Sequence, residues 1–220
     1  MAKAPKPGMV KTRLADSLPS EAVLALYRCF LEDTLRLAKS LMNVEVAVMC
    51  PEQDREELAQ FLRGVEVVAQ KGGGLAAGLT SAFRHFTAKG QQVIAFNSDS
   101  PHLAPSVLEG AFEILAATDV VIGPTFDGGY YLVGAKVAHP SLFEGDGMGT
   151  QSALERLLMR TKSLGLSTGF TETFYDVDVA GDLVRLAREL RLTPAKAPRT
   201  AAWLAAWEEA IAPLQGLGEP

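Results

Sequence analysis

Val93-Ile94-Ala95-Phe96-Asn97-Ser98-Asp99-Ser100-Pro101 is the stretch whose reading decides the fold. Four consecutive apolar residues give way to a polar turn closed by proline, the pattern of a strand covered on both faces of its sheet. Such a strand is expected to be central, and Pro101, which lacks an N–H, stops it and sets the turn. A carboxylate at the carboxyl end of a central parallel strand is well placed to hold a divalent cation that also touches substrate phosphates. Asp99 is therefore a candidate ligand, although an aspartate among serines before proline is also a common turn residue that bonds its own backbone.

Working outward, helical and strand patterns alternate. From Ser20 apolar residues recur at Val23, Tyr27, Phe30, Leu31, Leu35, Ala38 and Leu41, one face of an amphipathic helix. Strands are expected at 44–50, 65–69 and 120–122, and helices at 52–62, 75–86, 150–164, 179–190 and 200–211, with another carrying Leu108, Ala111, Phe112 and Leu115. Tyr130 to Val133 follows its predecessor after too short a loop for a parallel crossover, so it is expected to be antiparallel or non-adjacent. This order predicts one largely parallel sheet with helices on both faces. With no repeat or linker in view, residues 1–212 are read as a single nucleotide-binding transferase domain and 213–220 as a flexible tail.

Composition narrows the function. The chain has 220 residues, 48% hydrophobic and 21% charged, ordinary globular values that exclude collagen-like and disordered classes. A net charge of -5 argues against nucleic acid or an anionic membrane as partner, since both require concentrated positive charge. No stretch approaches the ~20 apolar residues of a membrane helix, and the N-terminus lacks the apolar core of a secretory signal, so a cytoplasmic location is expected. Two cysteines, Cys29 and Cys50, build neither a disulfide framework nor a zinc site.

Three further segments could carry chemistry. In Pro5-Lys6-Pro7-Gly8-Met9-Val10-Lys11-Thr12-Arg13-Leu14, Gly8 permits close backbone approach, Lys11 offers a point charge and Arg13 a planar fork for phosphate oxygens. A solvated basic loop explains the same residues. In Asp127-Gly128-Gly129-Tyr130-Tyr131 the glycines allow tight approach to a ligand and Asp127 could orient an acceptor hydroxyl or act as base, while a plain Asp-Gly hairpin turn competes. Tyr175-Asp176-Val177-Asp178 puts two carboxylates on one side of an extended segment. Capping of the following helix accounts for Asp178 but leaves Asp176 as a candidate second metal ligand. Gly72-Gly73-Gly74-Leu75-Ala76-Ala77 matches G-x-G-x-x-A between a strand and a helix, which admits a dinucleotide-binding rival.

Together AKAPKPGMVKTRLA, NSDSPHL, GPTFDGGYYLVG and YDVDVAGDL, in this order from residue 2 to residue 183, resemble a bacterial family assigned as glycosyltransferases with the nucleotide-diphospho-sugar transferase (GT-A) fold. That family is similar to molybdopterin-cofactor nucleotidyltransferases and phospholactate guanylyltransferases. The resemblance implies a three-layer α/β/α sandwich on a mostly parallel mixed sheet and a Mg²⁺- or Mn²⁺-dependent site. It implies Lys11 and Arg13 on phosphates, Asp99 on metal, and Asp127 and Asp176 near the acceptor or metal, so that Asp99, Asp127 and Asp176 are the expected catalytic residues and Asp99, Asp176 and Asp178 the candidate metal ligands. Gly8, Lys11, Thr12, Arg13, Gln70 and Ser98 would take the nucleotide phosphates, and Gly128, Gly129, Tyr130 and Thr150 the acceptor.

Departures from the family pattern accompany the resemblance. The chain begins Met1-Ala2-Lys3, which cuts the first strand short. The family's charged helix start is reduced to Gly73-Gly74-Leu75-Ala76-Ala77-Gly78-Leu79, and Met148-Gly149-Thr150 replaces a tryptophan-bearing triplet. The expected function is transfer from a nucleotide-activated donor, first a nucleotide sugar, with nucleoside triphosphate-dependent nucleotidyl transfer and a non-catalytic nucleotide-binding protein as alternatives. The expected partners are that nucleotide and a small-molecule acceptor, with assembly into a homodimer left open.

Overall fold

The computed structural model describes residues 1–144 and 152–217. In chain order its elements are α1 (Ser20–Lys39), β1 (Ala47–Cys50), α2 (Arg55–Phe61), β2 (Glu66–Ala69), α3 (Gly74–Thr87), β3 (Val93–Phe96), α4 (Pro105–Ala117) and β4 (Val120–Pro124). There follow β5 (Tyr130–Ala135), α5 (Ala153–Ser163), β6 (Thr168–Phe170), α6 (Ala180–Leu192), α7 (Pro198–Ala206) and α8 (Glu208–Ile211). The chain builds two units from segments distant in sequence. One comprises Met1–Ala2, Ala47–Asn97 and Ser106–Tyr175, the other Lys3–Val46, Ser98–Pro105 and Asp176–Pro220.

The six strands among the described residues all lie in the first unit, and they do not form the single, largely parallel sheet that the alternating pattern predicts. β1 and β2 pair in parallel as one small sheet, and a second has the order β3-β5-β4-β6. β5 runs antiparallel to β4, one of the two arrangements its short connection allows, and also to β3, while β6 is parallel to β4. β3 is thus terminal rather than central. On its open side the Met1 amino group donates to the Phe96 carbonyl at 2.9 Å, and Ala2 N–H donates to the Met49 carbonyl at 3.0 Å. One such bond to each sheet does not make a ladder, which is why β1 and β3 belong to separate sheets.

Alternation along the strands directs Val93, Ala95, Val120, Ile122, Val133 and Ala135 to one face, where Leu79 and Phe83 of α3, Leu157 of α5 and the turn residues Leu142 and Phe143 cover them. Phe83 stacks on Phe143 at 5.4 Å. On the opposite face α4 presses so closely that a Cβ at Gly169 would lie 2.2 Å from Ile114. Any larger residue there would force Ile114 to move.

The second unit is helical. α1 buries Val23, Leu26, Tyr27, Phe30 and Leu31 along its apolar stripe. α7 starts with Pro198, whose missing N–H costs nothing in a first turn, and Asp33 of α1 accepts the next two N–H groups, from Arg199 at 3.2 Å and Thr200 at 2.8 Å. The helix expected over 200–211 is broken at Trp207 into α7 and α8, and Ala212–Leu217 continues as a 3-10 turn. Asp178 does not cap α6 as predicted. The Asp182 carboxylate reaches back instead, accepting Asp178 N–H at 3.0 Å and Val179 N–H at 2.9 Å, an arrangement favoured because a carboxylate in the first turn also meets the positive end of the helix dipole.

Candidate functional site

Within the second unit three distant segments converge on Lys11. Its Nζ lies 2.7 Å from Asp99 Oδ1 and 2.7 Å from Asp178 Oδ1, and 6.0 Å from the centre of the Phe30 ring. The Lys11 side chain is only 5% exposed. Burial pulls the ammonium towards the neutral form, but Asp99 and Asp178 outweigh it, so the pKa moves above its ordinary value and the group stays charged. Lys11 also has φ +48°, a left-handed conformation that costs a non-glycine residue ~1–2 kcal/mol. Gly8, at φ +68°, shares that region without penalty. Thr12 and Arg13 are exposed, and the Arg13 guanidinium has no partner among the described residues.

Backbone and side-chain bonds fasten the two acidic segments together. Val177 N–H donates to the Asp99 carbonyl at 2.9 Å, and the buried Ser100 hydroxyl donates to Asp176 Oδ1 at 2.8 Å. Asp176, predicted beside Asp99 and Asp178, is thus held by Ser100. Ser98 is buried and hydrogen-bonds the Tyr27 hydroxyl. Burial, then the Asp99 charge, raises the Tyr27 pKa. Nearby in sequence, His102 is fully buried, its Nε2 3.9 Å from Glu189 Oε2. Burial lowers its pKa to about 4 despite that carboxylate, so it is neutral at pH 7 and the contact is not an ion pair there.

The first unit contains the remaining predicted residues. Gln70 is buried, and its Nε2 donates to the carbonyls of Gly72 at 2.8 Å and Gly74 at 3.1 Å, closing the triple-glycine loop on a side chain. Gly72 and Gly74 take φ +87° and +80°, which explains glycine at both. Asp127 is exposed and accepts the Thr125 hydroxyl at 2.5 Å and Gly129 N–H at 3.2 Å. This is an aspartate turn, tightened by Gly128 at φ +88° and by Gly129, where a Cβ would meet Thr125 Oγ1 at 2.8 Å. The Tyr130 hydroxyl is buried without a hydrogen-bond partner among the described residues, and burial drives its pKa well upward. Thr150 lies outside the described residues. Cys29 and Cys50 have pKa values raised to about 11, chiefly by burial, so neither is a thiolate at neutral pH.

The donor chemistry suits a divalent cation in part. Asp99 and Asp178 direct one oxygen each to a single cation position, and Mg²⁺ is commonly held by one or two carboxylates, with water and phosphate completing its shell. No cluster of three or more His, Cys, Asp or Glu forms a cage among the described residues. A site completed by substrate is therefore the arrangement these residues can offer. Sequence patterns could nominate Lys11, Asp99 and Asp178 but not their pairing, since Lys11 and Asp178 are 167 residues apart. The same holds for the Ser100–Asp176 bond.

Comparison with known proteins gives a consistent picture. Residues 34–150 match a family described as an uncharacterized protein conserved in bacteria (DUF2064). Among curated proteins none matches. The structure is similar to that of a Desulfovibrio desulfuricans G20 protein described as a "putative nucleotide-diphospho-sugar transferase", with TM-score 0.89 and 26% identity over 97% of this chain and 95% of that one. It is more distantly similar to Rv0371c of Mycobacterium tuberculosis H37Rv, with TM-score 0.52 and 20% identity over 71% of this chain and 82% of that one. A third similar structure is bifunctional IspDF of Campylobacter jejuni, with TM-score 0.53 and 12% identity over 71% of this chain and 46% of that one. The last two are likenesses of fold. Among the described residues no helix is long and apolar enough to cross a membrane.

Proposed function

Starting from a chain that belongs to the DUF2064 family of bacteria, we propose that it is a metal-dependent transferase that moves a glycosyl group from a nucleotide sugar to a small-molecule acceptor. The observation that carries this reading is the convergence of Asp99 and Asp178 on one cation position, held at present by Lys11, with the exposed Arg13 two residues further along the same loop. The full-length likeness to the Desulfovibrio protein supports the choice of donor. Mg²⁺ or Mn²⁺ bound by Asp99 and Asp178 would neutralise charge that develops on a departing nucleoside diphosphate. Arg13 would grip its phosphate oxygens with a guanidinium fork, and Gly8 would let the loop backbone come close to them. Ser100 holds Asp176 in place, and the Val177–Asp99 bond keeps the two acidic segments in register.

A second reading, nucleotidyl transfer from a nucleoside triphosphate, is favoured by Lys11 and Arg13 sharing one short loop, because two cations suit departing pyrophosphate. One experiment separates the two. Thermal unfolding is followed with Mn²⁺ or Mg²⁺ against panels of nucleotide sugars and nucleoside triphosphates. A ligand at ~100 times its Kd adds ~2.7 kcal/mol, which at ~2–4 °C per kcal/mol for a chain of this length is a rise of ~5–11 °C. The expected result is such a rise with one nucleotide sugar, abolished by chelator and by Asp99→Asn. A response restricted to a triphosphate moves the assignment to nucleotidyl transfer, and silence in both panels refutes both.

A further inference from the structure

The point at which Asp99 and Asp178 converge already contains a cation. Lys11 Nζ lies 2.7 Å from an oxygen of each, and its side chain is 95% buried by the complement of its 5% exposure. A divalent ion held by the same two oxygens requires the same point, and two cations cannot share it. We propose that the Lys11 ammonium and a divalent cation are alternative occupants of the Asp99–Asp178 pair. Metal loading then expels Lys11 from its seat and turns it toward the phosphates of the donor. This inference rests on the metal-dependent reading above.

Charge argues for exchange rather than addition. Two carboxylates are only half balanced by one ammonium and fully balanced by one divalent ion, whereas both cations crowded onto the same two oxygens would repel each other and leave one positive charge in excess. The loop around Lys11 has Gly8 at φ +68° and exposed Thr12 and Arg13, residues whose side chains do not anchor it. Displaced without an anion, however, the ammonium loses both of its partners. Metal alone is therefore a poor competitor, and metal accompanied by a diphosphate, which gives the ammonium a new partner, is a good one. The seat makes metal and donor bind together.

The test uses the full chain and Mn²⁺ alone as probe. In Lys11→Met, which keeps the apolar stem and removes the charge, calorimetric Mn²⁺ affinity should rise at least tenfold over wild type. A second measurement needs no variant: acetylation of Lys11 in the wild-type protein, read by peptide mass spectrometry, should increase several-fold when Mn²⁺ saturates the site. Unchanged or weaker Mn²⁺ affinity in Lys11→Met, or acetylation indifferent to bound Mn²⁺, overturns the exchange while leaving metal dependence intact. Failure of Lys11→Met, which has no competing ammonium, to bind Mn²⁺ overturns the exchange and the metal-dependent reading together.

Discussion

Asp33, midway along α1, caps α7 from the other end of the chain: its Oδ2 accepts the N–H of Thr200 at 2.8 Å, 167 residues away. The carboxylate is fully buried and also accepts Arg199 N–H, so it replaces the local cap that Ala197 cannot supply. Asp33→Ala orphans one buried donor, Thr200 N–H, and one partly buried donor, Arg199 N–H, and should cost about 1–3 kcal/mol. Asp33→Asn, which keeps an acceptor oxygen, should cost less. Urea midpoints at unchanged m-value measure both, and equal stability of all three proteins would show the cap to be dispensable.

His102 should make the fold acid-sensitive. Its pKa falls from the ordinary 6.5 to about 4 on folding because burial disfavours the charged imidazole. Between those values the unfolded chain binds more protons, so stability rises with pH across the window and is lost as pH falls through it. The contribution approaches about 3 kcal/mol at the acid end. Urea unfolding at pH 4.5 and 7 should therefore show a smaller pH effect for His102→Asn than for wild type, and identical slopes would count against a buried neutral imidazole.

Gly123 in β4 has no room for a methyl group. A Cβ there would lie 2.5 Å from Tyr131 Cζ, and the Tyr131 ring is pinned because its hydroxyl bonds Thr171 Oγ1 at 2.7 Å and donates to the Glu172 carbonyl at 3.1 Å. Gly123→Ala should lose about 1–3 kcal/mol through overpacking. Tyr131→Leu in the same background should recover part of that loss, a coupling that a double-mutant cycle by thermal unfolding detects.

Arg13 should separate binding from stability. Its side chain is exposed and makes no bond among the described residues, so Arg13→Ala should leave unfolding within about 0.5 kcal/mol of wild type. If it grips phosphate, nucleotide affinity in the same variant should fall by about 1.5–3 kcal/mol. Calorimetry beside urea denaturation tests the pair of outcomes, and retained affinity would return the guanidinium to solvent.

Periodicity located most elements because each helix and strand must bury one face. α1, β3 and α6 lie within a few residues of their predicted spans, and of the two arrangements that the short 125–129 connection allows for β5, antiparallel or non-adjacent, the structure takes the antiparallel one. β6 was missed: Thr168-Gly169-Phe170 has no apolar alternation, and its glycine is selected by Ile114 of a different element. Local composition singled out Lys11 and Asp99 but gave Asp178 to helix capping and Asp176 to the metal, whereas in the structure Asp178 meets Lys11 and Asp176 meets Ser100. Neither contact was legible, nor was the engagement of Gln70 by glycine carbonyls, because bonds across tens of residues leave no local pattern.

Sequence by itself determined the alternation of helices and strands, the absence of a long apolar helix, and which short segments are rich in charge and glycine. These depend on interactions within a few residues, where spacing and side-chain chemistry suffice. Tertiary structure alone decided that β3 is terminal, that Asp33 caps a helix at the far end of the chain, and that Lys11 stands between two carboxylates. Each depends on which distant backbone group or charge is brought within bonding distance, and that is a property of the packed chain.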